Sequence, residues 1–203
     1  MTRMFVVRHG ATSPNLEKPY RLQGRGIDVD LAPQGVEQAE RVRNALSGQS
    51  LQAIYSSPLR RARQTAEIIA AGHNLTVQLV TDLQEGDVGR WEGRTWEDIR
   101  AQDAEACERF MANPAEHGYP GGESFQDVAE RVTPVFHDIL QRHQGQTVLV
   151  VSHQIVCRVY LAGLLGLAPG HARRVKLANG GLSVVRLEEG QPELWTLNST
   201  LHL

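Results

Sequence analysis

The chain has 203 residues and a formal net charge of −2 at pH 7, with 41% hydrophobic and 22% charged residues. This composition is typical of a soluble globular protein with one well-filled core, and we expect a single domain over residues 1–203. The balanced charge lacks the basic surplus of a nucleic-acid binder, and no apolar run reaches membrane-spanning length.

The first predicted strand is the apolar run Met4–Val7, which leads directly into Arg8, His9 and Gly10. Because no charged and apolar leader precedes this strand, we expect a cytoplasmic protein. Gly10 allows the backbone to turn tightly, so Arg8 and His9 stand at the carboxyl end of a strand, where open α/β sheets bind ligands. An arginine beside a histidine suits attack on an anion, because the guanidinium holds the oxyanion while a ring nitrogen reaches its centre.

Strand and helix patterns alternate along the rest of the chain. A polar loop is predicted over 11–32. The apolar spacing and helix-start signals then predict helices over 33–46 and 59–71. Two further helices are predicted to begin at Thr95 and at Ser124, and a last one to end at Leu165. Strands are predicted at 53–56, 77–80 and 147–151, with a closing pair at 182–187 and 193–197. The alternation predicts an α/β fold: a single-domain three-layer sandwich with a mostly parallel sheet flanked by helices. The two cysteines, Cys107 and Cys157, have no metal-like spacing and are expected to be buried free thiols.

Polar residues follow three of the predicted strands. Besides Arg8 and His9, they are Arg60, within the segment Ser56–Ala62, and His153, just after the strand at 147–151. At one edge of a sheet, two imidazoles and two guanidiniums would repel one another unless an anion lay between them. A phosphoryl group fits, because it is doubly charged and offers three oxygens to bidentate arginines.

The order and spacing of these motifs resemble the histidine phosphatase superfamily, in the branch shared by cofactor-dependent phosphoglycerate mutases and small bacterial phosphatases. The motifs that carry the resemblance are Arg8–Thr12 with Asn15, Gln23–Gly24, Ser56–Ala62, Glu85 with Gly89–Gly93, Pro120–Ser124 and Val151–His153. The resemblance implies a phosphoglycerate mutase-like fold and a histidine acid-type phosphatase that needs neither metal nor cofactor. Its partner would be a small phosphorylated metabolite, with no nucleic acid and no membrane. The sequence does not decide between a monomer and a homodimer.

The resemblance assigns catalytic roles to Arg8, His9, Arg60, Glu85 and His153. It assigns phosphate or substrate binding to Asn15, Gln23, Gly24 and Gln154. His9 would attack phosphorus and form a phosphohistidine, while the arginines and His153 neutralise the phosphoryl oxygens. Glu85 would protonate the leaving oxygen and then activate water. The Gln23 and Gly24 amides and Asn15 would add hydrogen bonds from the first loop.

Several alternatives stay open at this stage. Asp82, Asp87 and Glu92 are rival proton donors to Glu85, and Trp91, Trp96 and Phe125 are expected to form core or pocket wall. Ala11, Ser13–Pro14 and Gln154 depart from the family pattern and leave the substrate undetermined. Mutases of the family are longer, and a more open site admits water, so hydrolysis is favoured over transfer. A metal-dependent hydrolase using His9 and His153, and a non-catalytic phosphate-binding protein, are the remaining hypotheses.

Overall fold

The computed structural model describes residues 1–203, which contain one six-stranded sheet. The strands are β1 (Thr2–Arg8), β2 (Ala53–Ser56), β3 (Val77–Leu79), β4 (Thr147–Ser152), β5 (Leu182–Glu188) and β6 (Gln191–Ser199). Their order across the sheet is β3-β2-β4-β1-β5-β6. Neighbouring strands from β3 to β1 are parallel, whereas β5 and β6 extend the sheet antiparallel from β1. The predicted mostly parallel sheet with a closing strand pair is confirmed.

The helices are α1 (Ser13–Leu16), α2 (Pro33–Leu46), α3 (Arg60–Ala70), α4 (Trp96–Gln102), α5 (Ala104–Ala112), α6 (Phe125–Arg142) and α7 (Gln154–Leu164). Thr95 and Ser124 cap α4 and α6 by accepting backbone hydrogen bonds from Asp98 and Asp127, as the helix-start signals predicted. The segment after Thr95 holds two helices rather than one. Asp103 leaves the helical conformation between them, and its carboxylate accepts a 2.7 Å hydrogen bond from Nε1 of Trp91.

Apolar residues fill both faces of the sheet, because successive side chains of a strand point to opposite sides. In β1, Phe5 and Val7 pack towards α2 and α3, whereas Met4 and Val6 pack towards α6 and α7. β4 is buried from Val148 onwards. The result is the three-layer arrangement that the sequence predicted, and both cysteines are buried and free. None of the helices combines the length and hydropathy that crossing a lipid bilayer requires.

Gly10 and Gly35 meet where the backbone leaving β1 crosses the first turn of α2. A Cβ atom on Gly10 would overlap the carbonyl oxygen of Gly35, and one on Gly35 would overlap that of Ala11. The first turn of α2 therefore buries Gly35, whereas the neighbouring Val36 is 39% exposed. This backbone contact holds the segment after β1, which carries the residues of the site.

Candidate active site

The carboxyl ends of β1, β4 and β2 lie side by side and bring their polar residues together. The backbone N–H of His9 donates to the carbonyl of Ser152 at 2.9 Å, and that of Ser57 donates to Val151 at 3.1 Å. The imidazole rings of His9 and His153 consequently lie with their centroids 5.1 Å apart. The predicted convergence of strand ends is thus observed for the two histidines.

His9 is buried, and its protonation state is determined by its neighbours. Its Nδ1 lies 2.7 Å from the carbonyl oxygen of Gly10. Because a carbonyl oxygen only accepts, Nδ1 carries the proton and Nε2 presents a lone pair. Burial, and then the positive charges of Arg61 and Arg8, lower the pKa of His9 well below its ordinary value. At neutral pH the ring is therefore neutral, and Nε2 is the ring nitrogen without a proton.

The guanidinium beside His9 belongs to Arg61, and the assignment of this position to Arg60 is wrong. Arg61 is 1% exposed. Its Nε donates to Nε2 of His9 at 3.3 Å, while Nη1 and Nη2 donate to the carbonyls of Ile27 and Gly24, each at 2.9 Å. Arg60 instead pairs with Asp30 at 2.6 Å, with about half of its side chain exposed.

A signal in the sequence separates the two arginines. Successive residues of a helix are rotated by roughly 100°, and Ala62, Ala66 and Ile69 mark the buried face of α3. Arg61 lies at the border of that face, whereas Arg60 lies opposite it. Helical periodicity, applied to the charged residues as well as to the apolar ones, favours Arg61.

Two buried nitrogens of the site lack a hydrogen-bond partner within the protein, namely Nε of Arg8 and Nδ1 of His153. The other contacts of these side chains position them: Nη1 of Arg8 donates to the carbonyl of Leu177 at 2.7 Å, and Nε2 of His153 lies 2.7 Å from Oγ of Ser57. Burial lowers the pKa of Arg8 to about 10, which leaves it charged at neutral pH. An unpaired buried polar group is costly, and an oxyanion is the ligand that suits these two nitrogens.

Glu85 is buried against the first turn of α7. Its Oε1 accepts hydrogen bonds from the backbone N–H groups of Gly86, Ile155 and Val156 at 3.0, 3.1 and 3.4 Å. Its Oε2 accepts only from Ile155, at 3.2 Å. Burial raises the pKa of Glu85, although Arg61 and these backbone hydrogen bonds act in the opposite direction. Oε2, which has fewer donors, is the oxygen better suited to hold a proton.

The loop that carries Glu85 is held on both sides by one partly buried ion pair. Arg131 donates to Glu123 at 2.9 Å. The same guanidinium donates to the carbonyl of Gln84 at 3.1 Å, just before Glu85, and also to that of Asp82. Glu123 accepts the backbone N–H of Asp87 at 2.8 Å, just after Glu85. The motif Pro120–Ser124 thus supplies a residue that supports the Glu85 loop.

Glu85 is the only one of the four candidate proton donors that lines the pocket at this end of the sheet. Asp87 pairs with Arg25 at 2.7 Å. Glu92 accepts the backbone N–H groups of Gly24 and Gly26 at 2.6 and 3.1 Å. These contacts give the carboxyls of Asp87 and Glu92 structural roles.

The Gly24 N–H is consequently unavailable to a phosphoryl group, which corrects that prediction. Gly24 contributes its carbonyl, which positions Arg61. Gln23 lines the pocket, but its side chain bonds to Thr12 at 2.8 Å and to the carbonyl of Ile27 at 3.3 Å. The loop from Gln23 to Ile27 is therefore held together by internal hydrogen bonds.

Asn15 and Gln154 line the pocket as expected. Oδ1 of Asn15 accepts from Thr12 and from Nδ2 of Asn179 at 3.1 Å. This leaves the Asn15 amide N–H₂ group free to donate into the pocket. Nδ2 of Asn179 also donates to the carbonyl of His9 at 3.0 Å, a positioning contact that nothing in the sequence indicated.

The pocket has a volume of about 410 Å³, within the range of small-molecule sites. Its remaining wall includes aromatic and cationic side chains, of which only Trp96 and Phe125 were expected there; the others are Tyr20, Arg21, Phe110, Tyr119, Arg158, Arg173 and Lys176. Trp96 and Phe125 thus form pocket wall, whereas Trp91 is fully buried core, as expected for these aromatic residues.

The fold and this site define an α/β protein with a cationic pocket, in which a neutral histidine, two arginines and a carboxyl meet at the carboxyl ends of parallel strands. The sequence profile of the histidine phosphatase superfamily (branch 1) matches residues 4–200. The chain therefore belongs to the histidine phosphatase superfamily.

Individual relatives agree with this assignment. The chain is 34% identical over 203 residues to phosphoserine phosphatase 1 of Hydrogenobacter thermophilus, covering 100% of this chain and 95% of that protein. It is 37% identical over 198 residues to phosphoglycerate mutase-like protein 4 of Arabidopsis thaliana, covering 96% and 82%. The solved structure of YhfR from Bacillus stearothermophilus superimposes with a TM-score of 0.92 at 30% identity, covering 100% and 99% of the two chains. The predicted fold class and family are confirmed.

Proposed function

We propose that this protein is a metal-independent phosphomonoester hydrolase that acts through a phosphohistidine on His9. The observation that carries the proposal is the state of the His9 ring, which is buried and neutral, with Nδ1 bonded to Gly10 and Nε2 directed at the guanidinium of Arg61. A protein that only bound phosphate would need neither an unprotonated nucleophile nor a protonatable carboxyl in the same pocket.

In the first step, Nε2 of His9 attacks phosphorus, and the bond from phosphorus to the ester oxygen breaks. The proton on Oε2 of Glu85 passes to the departing oxygen, which leaves as an alcohol. Arg8 and Arg61 neutralise charge on the phosphoryl oxygens, while Nδ1 of His153 and the Asn15 amide add hydrogen-bond donors. This step produces a phosphoenzyme and ionised Glu85.

In the second step, Glu85 takes a proton from water as the water oxygen attacks phosphorus. The bond between phosphorus and Nε2 breaks, its electron pair returns to the ring, and inorganic phosphate leaves. Glu85 is then protonated again, and His9 is neutral. The close backbone contact between Gly10 and Gly35 positions the turn that directly follows His9.

The purified protein is expected to hydrolyse p-nitrophenyl phosphate equally well with and without a chelator, because the guanidinium groups supply the positive charge that Mg²⁺ provides elsewhere. No group of three or more His, Cys, Asp or Glu side chains is placed to hold a metal ion. The measurement is release of nitrophenolate and inorganic phosphate in EDTA. Activity lost in EDTA and restored by a divalent ion would contradict the metal-free mechanism.

Glu85→Gln is expected to slow phosphoenzyme formation much more for alkyl than for aryl phosphates. Nitrophenolate leaves without a proton, whereas an alkoxide does not, and glutamine keeps the shape but cannot donate a proton. Because Glu85 also activates water, the measurement is the single-turnover burst. Burial raises the pKa of Glu85, so the burst rate for alkyl substrates should fall as the pH rises through this raised pKa, and this limb should disappear in the variant. Asp82→Asn is the matched control; equal burst losses for both substrate classes would show that Glu85 only shapes the pocket.

A further inference from the structure

The part of the pocket beyond the phosphoryl site carries more positive charge than a phosphoryl group can balance. Five cationic side chains line the pocket, namely Arg8, Arg21, Arg158, Arg173 and Lys176, against a single carboxyl, Glu85. Burial raises the pKa of that carboxyl, which reduces its negative charge further. Arg8 belongs to the phosphoryl site, and Arg21 is 3.4 Å from Glu17. Arg158, Arg173 and Lys176 have no carboxylate partner within 4.0 Å.

Two of these three cations are held in place by the protein. Nε of Arg158 donates to the carbonyl of Val175 at 2.9 Å, which leaves both Nη groups without a hydrogen bond in the protein. The guanidinium carbon of Arg173 lies 5.9 and 5.7 Å from the ring centroids of Trp96 and Phe110, within cation–π range. Each positive group is therefore positioned by contacts that do not neutralise it.

Arg158 lies on α7, the helix that begins beside the phosphoryl site. His153 is the N-cap of that helix, and Arg158 follows five residues later. At a rise of about 1.5 Å per residue, Arg158 stands roughly 7 Å further along the helix axis, the length of a small leaving group. Since Arg158 and Arg173 line the same pocket as His9 and Glu85, they border the space that the alcohol part of a substrate would occupy.

We propose, building on the proposed hydrolase function, that Arg158, Arg173 and Lys176 form a second anion site that selects phosphomonoesters whose alcohol part carries another acidic group, a carboxylate or a second phosphate. Like charges gathered in one pocket are stabilised by an anionic ligand, and guanidinium groups bind carboxylate and phosphate with good geometry. Apart from Glu85 the pocket has no carboxyl to pair with a positive substituent. An ammonium group on the substrate, as in phosphoserine, is therefore disfavoured.

The test measures binding in the His9→Ala background by calorimetry, so that it does not depend on turnover. We expect 3-phosphoglycerate to bind about 10- to 100-fold more tightly than glycerol 3-phosphate, which replaces the carboxylate by a hydroxymethyl group. Phosphoserine is expected to bind more weakly than 3-phosphoglycerate. Fructose 1,6-bisphosphate and fructose 6-phosphate form the corresponding pair for a second phosphate, and the pair with the larger ratio identifies the acidic group.

Arg158→Gln and Arg173→Gln, each added to that background, should reduce the larger ratio to within about threefold of unity, because they remove a charge-assisted hydrogen bond to the second group. A substitution that damages the pocket in general weakens both ligands of a pair, so it leaves the ratio of their affinities unchanged. Arg174→Gln is the matched control, since Arg174 is exposed and does not line the pocket, and it should leave the ratio unchanged.

Ratios near one for both pairs in the His9→Ala protein, or ratios that survive both substitutions, would overturn the second anion site. Either result would leave the proposed hydrolase intact if the unmodified protein still releases phosphate from p-nitrophenyl phosphate.

Discussion

His9→Ala is expected to abolish turnover of every phosphomonoester, because it removes the nitrogen that would bond to phosphorus. Loss of a covalent nucleophile lowers kcat by several orders of magnitude, about 10⁶-fold where such a residue has been removed from a hydrolase. In the unmodified protein, rapid quenching with labelled substrate should trap the label as a phosphoramidate, stable in base and labile in acid. Peptide mapping should then place the label on His9.

The matched control is His171→Ala, because His171 is exposed and outside the pocket. This variant should keep both turnover and label. Thermal unfolding of each variant distinguishes lost chemistry from a lost fold, and His9→Gln, with a side chain closer in size, provides a second test. Label on Ser56, Ser57 or Ser152 would contradict a phosphohistidine.

Arg61→Ala is expected to lower kcat by at least about 10²–10³-fold, the effect of removing one donor that stabilises a developing anion. Arg60→Ala should change kcat by less than about twofold, since the guanidinium of Arg60 pairs with Asp30 at the surface. The pair is a sharp test because the two arginines are neighbours in sequence and identical in chemistry. Steady-state kinetics on p-nitrophenyl phosphate measures both effects.

Arg61 also positions the loop through its hydrogen bonds to Gly24 and Ile27, so Arg61→Ala could lose activity through misfolding. Arg61→Lys keeps the charge and most of the volume but loses the bidentate geometry, and it should fold while remaining well below the activity of the unmodified protein. A larger loss in Arg60→Ala than in Arg61→Lys would show that the guanidinium beside His9 does not act on the substrate.

The sequence predicts the fold well where local patterns and burial agree. β4 is recognisable from its four consecutive apolar residues Val148–Val151, and α4 and α6 begin at the predicted capping residues. The prediction of helix boundaries was weaker where the break between two helices involves a residue that contacts a distant part of the chain. Asp103 lies between α4 and α5, and its carboxylate accepts a hydrogen bond from Trp91, twelve residues earlier. The local sequence around Asp103 does not predict that contact.

The motifs likewise predicted some features of the candidate site and missed others. Motifs at strand ends suffice to place His9 and His153 together, because parallel strands end at one edge of a sheet and the motifs follow directly. They did not reveal that the Gly24 N–H is taken by Glu92, since that depends on how two loops far apart in sequence pack.

By itself, the sequence determined the α/β architecture, the family, and the residue types of the phosphoryl site, because these follow from periodicity and from short motifs adjacent to strands. Tertiary structure decided that Arg61 faces His9, a choice that the motif left open and that helical periodicity only favours, since one residue along a helix turns a side chain by roughly 100° and packing selects the buried direction. It also decided that Arg158, Arg173 and Lys176 share the pocket with His9. These residues come from α7 and from the segment before β5, and only the folded chain brings them to the same cavity.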